Sequence, residues 1–356
     1  MWDKVGPKNW RRPLLLQPDN FTPPERTPWG GRRIAGTLKL NAGVGGSRLV
    51  GEAWELSVEP DFPSRIVEGP LLDEVLRGDP ALLGREAPLG STALLVKLVD
   101  AADDLSVQIH PADDDPLLAA DESGKPEAWY IIDADPGAGL YLGFRDGVSR
   151  QDIEQAIDER GPVDRLMSFV PVCAGDVFLI EPGTPHAIGK GVLLLEPQRV
   201  SPGKRGLTYR YWDWNRKYDP AGRLDESGQP RALHRERALD VTRWEGPREG
   251  KLLDHICRRT GPAATGGPAR LEVLVGNAGL VPSATFSVQR LAGSGELVLP
   301  ATDALRSLTV LDGALTLREG DRALHLATGQ TAALPACLDP IDIGLVAAHA
   351  VVCALA

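Results

Sequence analysis

Residues 106–111 combine possible metal ligands with the alternation of a β-strand. Ser106, Gln108 and His110 are separated by single apolar residues, so an extended chain would project all three side chains from one face. At a rise of about 3.3 Å per residue, Ser106 and His110 would lie about 13 Å apart, enough to line an elongated polar pocket. The same pattern also fits an amphipathic strand whose polar face is exposed to water.

Two further segments supply a carboxylate and a second histidine. Lys125 and Glu127 would share one face of a strand, and Glu127 leads directly into apolar residues, where a carboxylate needs a positive partner. In residues 181–186 a Pro-Gly turn precedes His186, a geometry that can aim an imidazole into a small β-barrel. A surface Lys-Glu pair and an incidental turn histidine are the alternative interpretations.

Together these segments offer two imidazoles, one carboxylate and one amide oxygen. Two histidines with one glutamate are an established zinc set, and a glutamine can add an oxygen ligand. With a single carboxylate, such a site would keep a net positive charge. It could therefore stabilise negative charge that develops on a bound substrate.

A fourth segment, residues 207–215, places an arginine among aromatic residues. Alternation puts Arg210 on the face opposite to the two flanking tyrosines. Arg210 could be a stacked surface cation or a group that binds an anion in a cleft. Further positive charge for such a cleft could come from Lys190, Lys204 and Arg205.

Short β-strand signals dominate the chain around these segments. Apolar runs bounded by Gly, Pro or Asp predict strands at residues 92–99, 105–110, 129–132, 177–180 and 192–195. The run at 92–99 is nearly continuous, which predicts a strand buried on both faces. Helix signals are fewer and predict short helices at residues 71–76, 149–160 and 234–241.

A composition break rich in Gly and Pro, at about residues 244–267, predicts two structural units. Residues 175–186 also resemble residues 329–337, although the second segment has no histidine at the place of His186. Beyond the break we predict a smaller β domain with strands at residues 285–291, 297–300, 307–311, 314–317 and 323–326.

Bulk composition limits the classes of function. The net charge is −10 and no basic patch is evident, so we predict no nucleic-acid partner. The apolar run at residues 13–16 is too short for a signal segment, and no stretch approaches a membrane span. We therefore expect a cytoplasmic protein without a membrane partner. The length of 356 residues suits two joined units.

In order and spacing, these motifs resemble the type I phosphomannose isomerases, in their short bacterial form, over about residues 14–241. The pair formed by Gln-x-His-Pro and Gly-Lys-x-Glu-x-Trp-Tyr carries most of the specificity. The matching segments are residues 29–31, 51–57, 94–97, 105–111, 124–132, 183–191, 209–211 and 233–234.

The resemblance implies a mainly β fold made of two cupin-like (jelly-roll) β-barrels with a few short helices. A catalytic domain at 1–245 would hold the metal, and a smaller domain at 268–356 would not. The implied activity interconverts D-mannose 6-phosphate and D-fructose 6-phosphate through a cis-enediolate. We also expect a monomer. One Zn²⁺ per chain would be bound by Gln108, His110, Glu127 and His186.

The resemblance also implies roles for cavity residues. Ser106 would help to hold the substrate phosphate, Lys125 would face the substrate beside the metal, and Arg210 would be the essential arginine. We predict Lys190 as a further phosphate contact. Glu196 follows an apolar run and is our candidate for the catalytic base, although it could equally pair with a nearby Arg or Lys.

Two departures from the family pattern bear on the site. Residues 196–206 form a longer stretch without the usual Ser-Asp, which predicts a reshaped loop, and the turn before His186 reads Glu-Pro-Gly. The alternative functions are a non-catalytic sugar-phosphate-binding cupin and another metal-dependent cupin enzyme, such as an iron dioxygenase. The presence of Lys125 and Arg210 argues against the first, and a fourth ligand at Gln108 argues against the second.

Overall fold

The computed structural model describes residues 9–320 and 322–356. Residues 1–8 of the predicted domain 1–245, and residue 321 of the predicted domain 268–356, lie outside the described part. The chain is mainly β, and three large sheets contain most of its strands. The predicted fold class, two cupin-like β-barrels with a few short helices, is confirmed.

The strands before the predicted break are short. They are β1 (Leu14–Leu15), β2 (Glu52–Leu56), β3 (Leu94–Asp100), β4 (Val107–Ile109), β5 (Glu122–Ser123), β6 (Glu127–Ala134), β7 (Gly139–Phe144), β8 (Met167–Pro171), β9 (Val177–Ile180), β10 (His186–Ile188), β11 (Val192–Arg199), β12 (Arg205–Gly206), β13 (Tyr209–Trp212), β14 (Lys217–Tyr218) and β15 (Gln229–Pro230). β16 (Cys257–Arg258) lies within the break. The strands that follow the break include three much longer ones and are β17 (Arg270–Val275), β18 (Phe286–Leu299), β19 (Arg306–Glu319), β20 (Arg322–Ala327), β21 (Thr331–Leu334) and β22 (Ile341–Leu355).

Helices occupy only short stretches of the chain, and they confirm the three predicted from the sequence. Ser149 caps α2 (Arg150–Asp158) with a capping box, in which its side chain and that of Asp152 each accept a hydrogen bond from the other residue's backbone N–H. A fourth helix, α4 (Glu249–Ile256), lies inside the Gly- and Pro-rich break and was not predicted. No helix among the described residues is long and apolar enough to cross a membrane. The helices are α1 (Leu72–Gly78), α2 (Arg150–Asp158), α3 (Arg235–Val241) and α4 (Glu249–Ile256), with single turns at Ile34–Leu38, Pro80–Leu82, Ala87–Leu89 and Val163–Leu166.

Two antiparallel sheets face each other in the first barrel. One has the strand order β16-β9-β6-β11-β3-β2, and the other has the order β13-β4-β10-β7-β8. Apolar side chains from both sheets meet in one core, such as Ile131 from β6 and Ile188 from β10. This arrangement brings the inner faces of β4, β6, β10 and β11 towards each other.

Strand β3 explains the nearly continuous apolar run in the sequence, because each of its faces is covered. Val96 and Leu98 belong to a core shared with the second barrel, to which Val288 and Cys353 also contribute. Lys97, on the other face, points into the first barrel. The predicted burial of this strand on both faces is confirmed, since every residue of β3 is buried.

The second barrel is built from the strand order β1-β21-β19-β22-β18-β17, with β20 paired to β19. The prediction of separate strands at 285–291 and 297–300, and at 307–311 and 314–317, was wrong. The residues between them continue the long strands β18 and β19. Gly293, Gly295 and Gly313 adopt positive φ there and form irregularities within the ladder instead of chain-reversing turns.

The start of the described chain reaches into the second barrel. Leu14 and Leu15 of β1 pair with Ala333 and Ala332 of β21. A segment from the start of the predicted first domain therefore pairs with a strand of the predicted second domain. The division into domains 1–245 and 268–356 remains a prediction.

Candidate active site

A cavity of about 400 Å³ lies inside the first barrel. Its walls come mainly from β3, β4, β6, β11 and β13, together with the loops that flank them. His110 and His186 are buried beside the cavity, next to Glu127. The predicted site residues that line it are Ser106, Gln108, Lys125, Glu127, Glu196 and Arg210.

A compact cluster of three donor groups forms at one side of the cavity. Donor atoms of His110, Glu127 and His186 all lie within 4.8 Å of one another. Nε2 of His110 is 3.0 Å from Oε1 of Glu127, and Nε2 of His186 is 3.8 Å from Oε2. A cluster of this composition and size can surround a single metal ion.

Backbone carbonyl groups fix both imidazoles in the orientation that a metal ligand requires. Nδ1 of His110 donates to the carbonyl of Leu207, and Nδ1 of His186 donates to that of Thr184, each at 2.9 Å. Each Nε2 is therefore free of a proton and faces the cluster. Burial lowers the pKa of both histidines, that of His186 to about 3, so both are neutral at pH 7.

Glu127 is the charged member of the cluster. Burial opposes its ionisation, but Lys125, at 3.1 Å from Oε1, and then His110 hold the pKa of Glu127 well below its usual value. Oε2 of Glu127 and Nε2 of His110 are buried and have no hydrogen-bond partner within the described chain. Two unsatisfied lone-pair atoms of this kind fit a bound divalent cation, which they could coordinate.

Gln108 reaches the same cluster from the neighbouring strand. It lies opposite His186 in the β4–β10 register, and its Nε2 is 3.4 Å from Nε2 of His186. The amide nitrogen faces the imidazole in this arrangement. Rotation of the amide by half a turn would present its oxygen to a metal ion, as the predicted ligand role requires.

Glu196 lies deeper in the cavity wall and is bonded to uncharged donors. Trp129 Nε1 donates to Oε1 and Gln198 Nε2 donates to Oε2, both at 2.8 Å. Burial, with a further contribution from the charge of Glu127, raises the pKa of Glu196 to about 8. A carboxyl group with this property can take up or release a proton near neutral pH.

Arg210 lines the cavity on β13, where it lies opposite Gln108 in the ladder. Its Nη1 donates to the carbonyl of Ala232 at 3.2 Å, whereas Nε is buried without a hydrogen-bond partner among the described residues. Burial lowers the pKa of Arg210, yet a guanidinium remains charged in proteins. An unsatisfied cationic donor at a cavity wall suits an anionic ligand.

Lys190 is placed differently from the other predicted site residues. It is exposed, and it is not among the described residues that line the cavity. Its backbone N–H bonds Asp104 at the outer end of the β10–β11 turn. Its predicted role as a phosphate contact remains a prediction.

Several cavity residues were not singled out from the sequence as site residues. Gln198 follows Glu196 by two positions on β11, so the alternation of this strand was the signal that could have revealed it. Arg231 stacks over Tyr218 at 4.4 Å, and nothing in its local sequence indicates a cavity position. Other charged residues of the lining are Arg26, Glu52, Glu59, Asp61 and Lys97.

The fold and the donor cluster together define a two-barrel cupin enzyme with a possible metal site. No protein-family model matches the chain. Mannose-6-phosphate isomerase from Streptococcus mutans is 31% identical over 350 residues, which cover 96% of this chain and 99% of that protein. Mannose-6-phosphate isomerase ManA from Bacillus subtilis is 32% identical over 243 residues, or 68% of this chain and 69% of that protein.

Comparison of folds leads to the same group of proteins. The crystal structure of mannose 6-phosphate isomerase from Bacillus subtilis superimposes with a TM-score of 0.72 at 24% identity and covers 96% of this chain and 99% of that one. The chain belongs to the mannose-6-phosphate isomerase family.

Proposed function

We propose that this protein interconverts D-mannose 6-phosphate and D-fructose 6-phosphate and depends on Zn²⁺. The observation that carries the proposal is the buried cluster of His110, Glu127 and His186 in the wall of a cavity that also contains Lys125, Glu196 and Arg210. Family membership and the names of the relatives support the substrate. A set of two histidines and a glutamate supports zinc.

The cationic residues of the cavity support a phosphorylated substrate. Arg205, Arg210 and Arg231 all line it, and Nε of Arg210 is a buried donor that lacks a partner within the described chain. Ser106 lines the same cavity and adds a hydroxyl group. We assign the phosphate to this group of residues.

Glu196 is our candidate for the group that moves the proton. It would remove the proton from C2 of the open-chain aldose and return it at C1 of the resulting cis-enediolate, while the hydroxyl proton of O2 passes to O1. Its raised pKa, about 8, allows Glu196 to hold the proton between the two steps near neutral pH. Hydrogen bonds from Trp129 and Gln198 keep the carboxyl group in place between these transfers.

Positive charge in the cavity would stabilise the enediolate. Lys125 and Arg210 both line the cavity, and the guanidinium of Arg210 stays charged in proteins, which suits a fixed electrostatic role. His110, Glu127 and His186, with Gln108 after rotation of its amide, would hold the zinc ion. A bound Zn²⁺ acts as a Lewis acid that polarises an oxygen atom of the substrate.

A coupled isomerase assay on purified protein tests the proposal. Zinc-loaded protein is expected to convert mannose 6-phosphate, and removal of zinc with a chelator is expected to abolish the activity until zinc is restored. In Arg210→Ala, kcat should fall by about 100- to 1,000-fold, a typical effect of losing one charge-stabilising donor. Zinc content should stay normal, because Arg210 is not one of the residues proposed to bind the metal.

The exposed Arg77, which pairs with Asp73 on α1, provides the matched control, and Arg77→Ala should retain full activity. An inactive zinc-loaded wild-type protein would contradict the proposed reaction and favour a non-catalytic cupin. Activity that depends on iron would favour a different cupin enzyme. An unchanged kcat in Arg210→Ala would remove this residue from the mechanism.

A further inference from the structure

Gln198 occupies a central position between the two acidic residues of the site. It lies on β11 directly opposite Glu127 of β6, and its side chain is buried. Its Nε2 lies 2.6 Å from Oε1 of Glu127 and 2.8 Å from Oε2 of Glu196. One amide group therefore joins the carboxylate of the donor cluster to the carboxyl group proposed for proton transfer.

The chemistry of an amide fixes the direction of these two hydrogen bonds. The NH₂ group has two protons to donate, one for Oε1 of Glu127 and one for Oε2 of Glu196, whereas the amide oxygen would repel the ionised Glu127. Oε1 of Gln198 accordingly points away from them and is buried, with no hydrogen-bond partner in the described chain. Leaving one buried acceptor unsatisfied is costly, which indicates that the two donated bonds outweigh that cost.

The two carboxylate oxygens of Glu127 differ in the atoms that they contact. Oε1 accepts from Gln198 and lies 3.1 Å from Nζ of Lys125 and 3.0 Å from Nε2 of His110, whereas Oε2 lacks a hydrogen-bond partner among the described residues and lies 3.8 Å from Nε2 of His186. We propose that Gln198 is a positioning residue: it fixes Oε1 of Glu127 so that Oε2 stays turned towards the metal, and it holds Glu196 at the same time. This inference rests on the metal site of the proposed function.

Metal affinity of the Gln198→Met variant tests the inference. Methionine has a similar length and no donor, so it keeps the packing of the strand and removes both hydrogen bonds. Starting from metal-free protein, competition with a chromophoric chelator should show zinc binding weakened by about 10- to 100-fold. The zinc-loaded variant should also have a lower kcat for mannose 6-phosphate, while KM changes less.

Gln289→Met is the matched control, because Gln289 is a half-buried glutamine on β18 of the second barrel. It should bind zinc like the wild type. Wild-type zinc affinity in Gln198→Met, or an equal loss in both variants, would overturn the inference. Wild-type protein that binds zinc but does not isomerise would contradict the proposed function alone, since the affinity measurement needs no substrate.

A crystal structure of the zinc-loaded wild type gives a second measurement that does not depend on the folding of a variant. Gln198 Nε2 is expected within hydrogen-bond distance of Oε1 of Glu127 and of Glu196. An amide turned away from both carboxylates would overturn the inference. So would a Glu127 that binds zinc through both of its oxygens.

Discussion

Each histidine of the donor cluster uses one ring nitrogen to bond the backbone and offers the other to the cavity. The carbonyl groups of Leu207 and Thr184 thus determine which nitrogen is available, and both come from loops that lead into strands of the same sheet. Lys125 and Gln198 have a comparable effect on Glu127, because they occupy one of its two oxygens. The donor set is therefore oriented before any ion binds, which lowers the cost of binding.

At this scale we predict that Lys125→Met impairs turnover even when the protein is saturated with zinc. Lys125 contacts Glu127 and lines the cavity, so its loss removes a cation near the developing negative charge. With zinc supplied in excess, and zinc content by atomic absorption near one per chain, we expect kcat to fall about 100-fold. Lys251→Met, at an exposed position on α4, should behave like the wild type. A normal kcat in Lys125→Met would contradict the assigned role.

Glu196 predicts a pH dependence of stability in the metal-free protein. Its pKa is raised from the ordinary value of 4.5 to about 8, so between these values the folded state keeps a proton that the unfolded chain has lost. The free energy of unfolding should therefore fall as the pH rises towards 8. The pKa values of the cluster histidines are lowered from 6.5 in the folded state. These histidines therefore make the free energy of unfolding rise with pH, but only below about pH 6.5.

Urea denaturation at several pH values between 6.5 and 8 measures this effect. Glu196→Gln keeps the size of the side chain and cannot ionise, so its unfolding free energy should decline less over this range than that of the wild type. Glu181→Gln, at an exposed position, should follow the wild type. Parallel curves for Glu196→Gln and the wild type would show that Glu196 titrates normally in the folded protein.

The sequence predicted most residues that the structure gathers around the cavity, because they belong to short patterns. Gln108 and His110 share a face through simple alternation, and Glu127 begins an apolar run that had to become a buried strand. Alternation with Glu196 on β11 could have placed Gln198 on the cavity face, but its contact with Glu127 depends on pairing with a residue 71 positions earlier. Local periodicity cannot reveal a register between distant strands, and Arg231 was missed for the same reason.

Helices and strands were predictable where nearby residues in the sequence determine where they begin and end. Ser149 begins α2 through its own side chain, and Gly and Pro residues bound the short strands of the first barrel. The long strands β18 and β19 were divided because Gly293, Gly295 and Gly313 resemble turn residues. Pairing with β22 on one side keeps these strands continuous through their irregularities, and a sequence pattern does not show which neighbour a strand will have.

The parallel pair of β12 and β5 leads to a prediction about the loop after β11. Gly206 of β12 packs so closely that an added Cβ would lie 2.9 Å from Val200 and 3.2 Å from Cδ of Lys125. Gly206→Val should displace Lys125 or the loop and reduce kcat/KM by up to about 100-fold, since small shifts of a reacting group cost this much.

Steady-state kinetics with mannose 6-phosphate, together with a thermal melt, check this prediction. The melt should show a folded protein, because a β-branched residue is compatible with a strand. Gly46→Val is the matched control, since an added Cβ there meets no atom within 4 Å. Equal kinetics for the two variants would show that the close contact of Gly206 with Lys125 has no influence on the site.

Across the whole molecule, a buried ion pair joins the two barrels. Lys39 is fully buried and donates to Glu55 at 2.7 Å and to the carbonyl of Gly329 at 2.7 Å, while the hydroxyl of Thr331 donates to Glu55. Gly329 and Thr331 belong to the second barrel. A charged group in such a place is stable only while its partner is present.

We expect Lys39→Met to lower the free energy of unfolding by about 3–5 kcal/mol, because Glu55 would remain buried without its counter-ion. The double variant Lys39→Met/Glu55→Gln should recover part of this loss, since no uncompensated charge remains. Urea denaturation at pH 7 compares the three proteins. Equal stability of the single and double variants would show that the lone carboxylate is not the source of the loss.

Because β1 pairs with β21, β1 can join its sheet only after most of the described chain has been translated. Leu14 and Leu15 are translated about 320 residues before their partners Ala333 and Ala332. At about 5–20 residues per second, the apolar segment waits for roughly 15 to 60 seconds before its place in the sheet exists. During that time it is a natural target for a chaperone that shields nascent polypeptides.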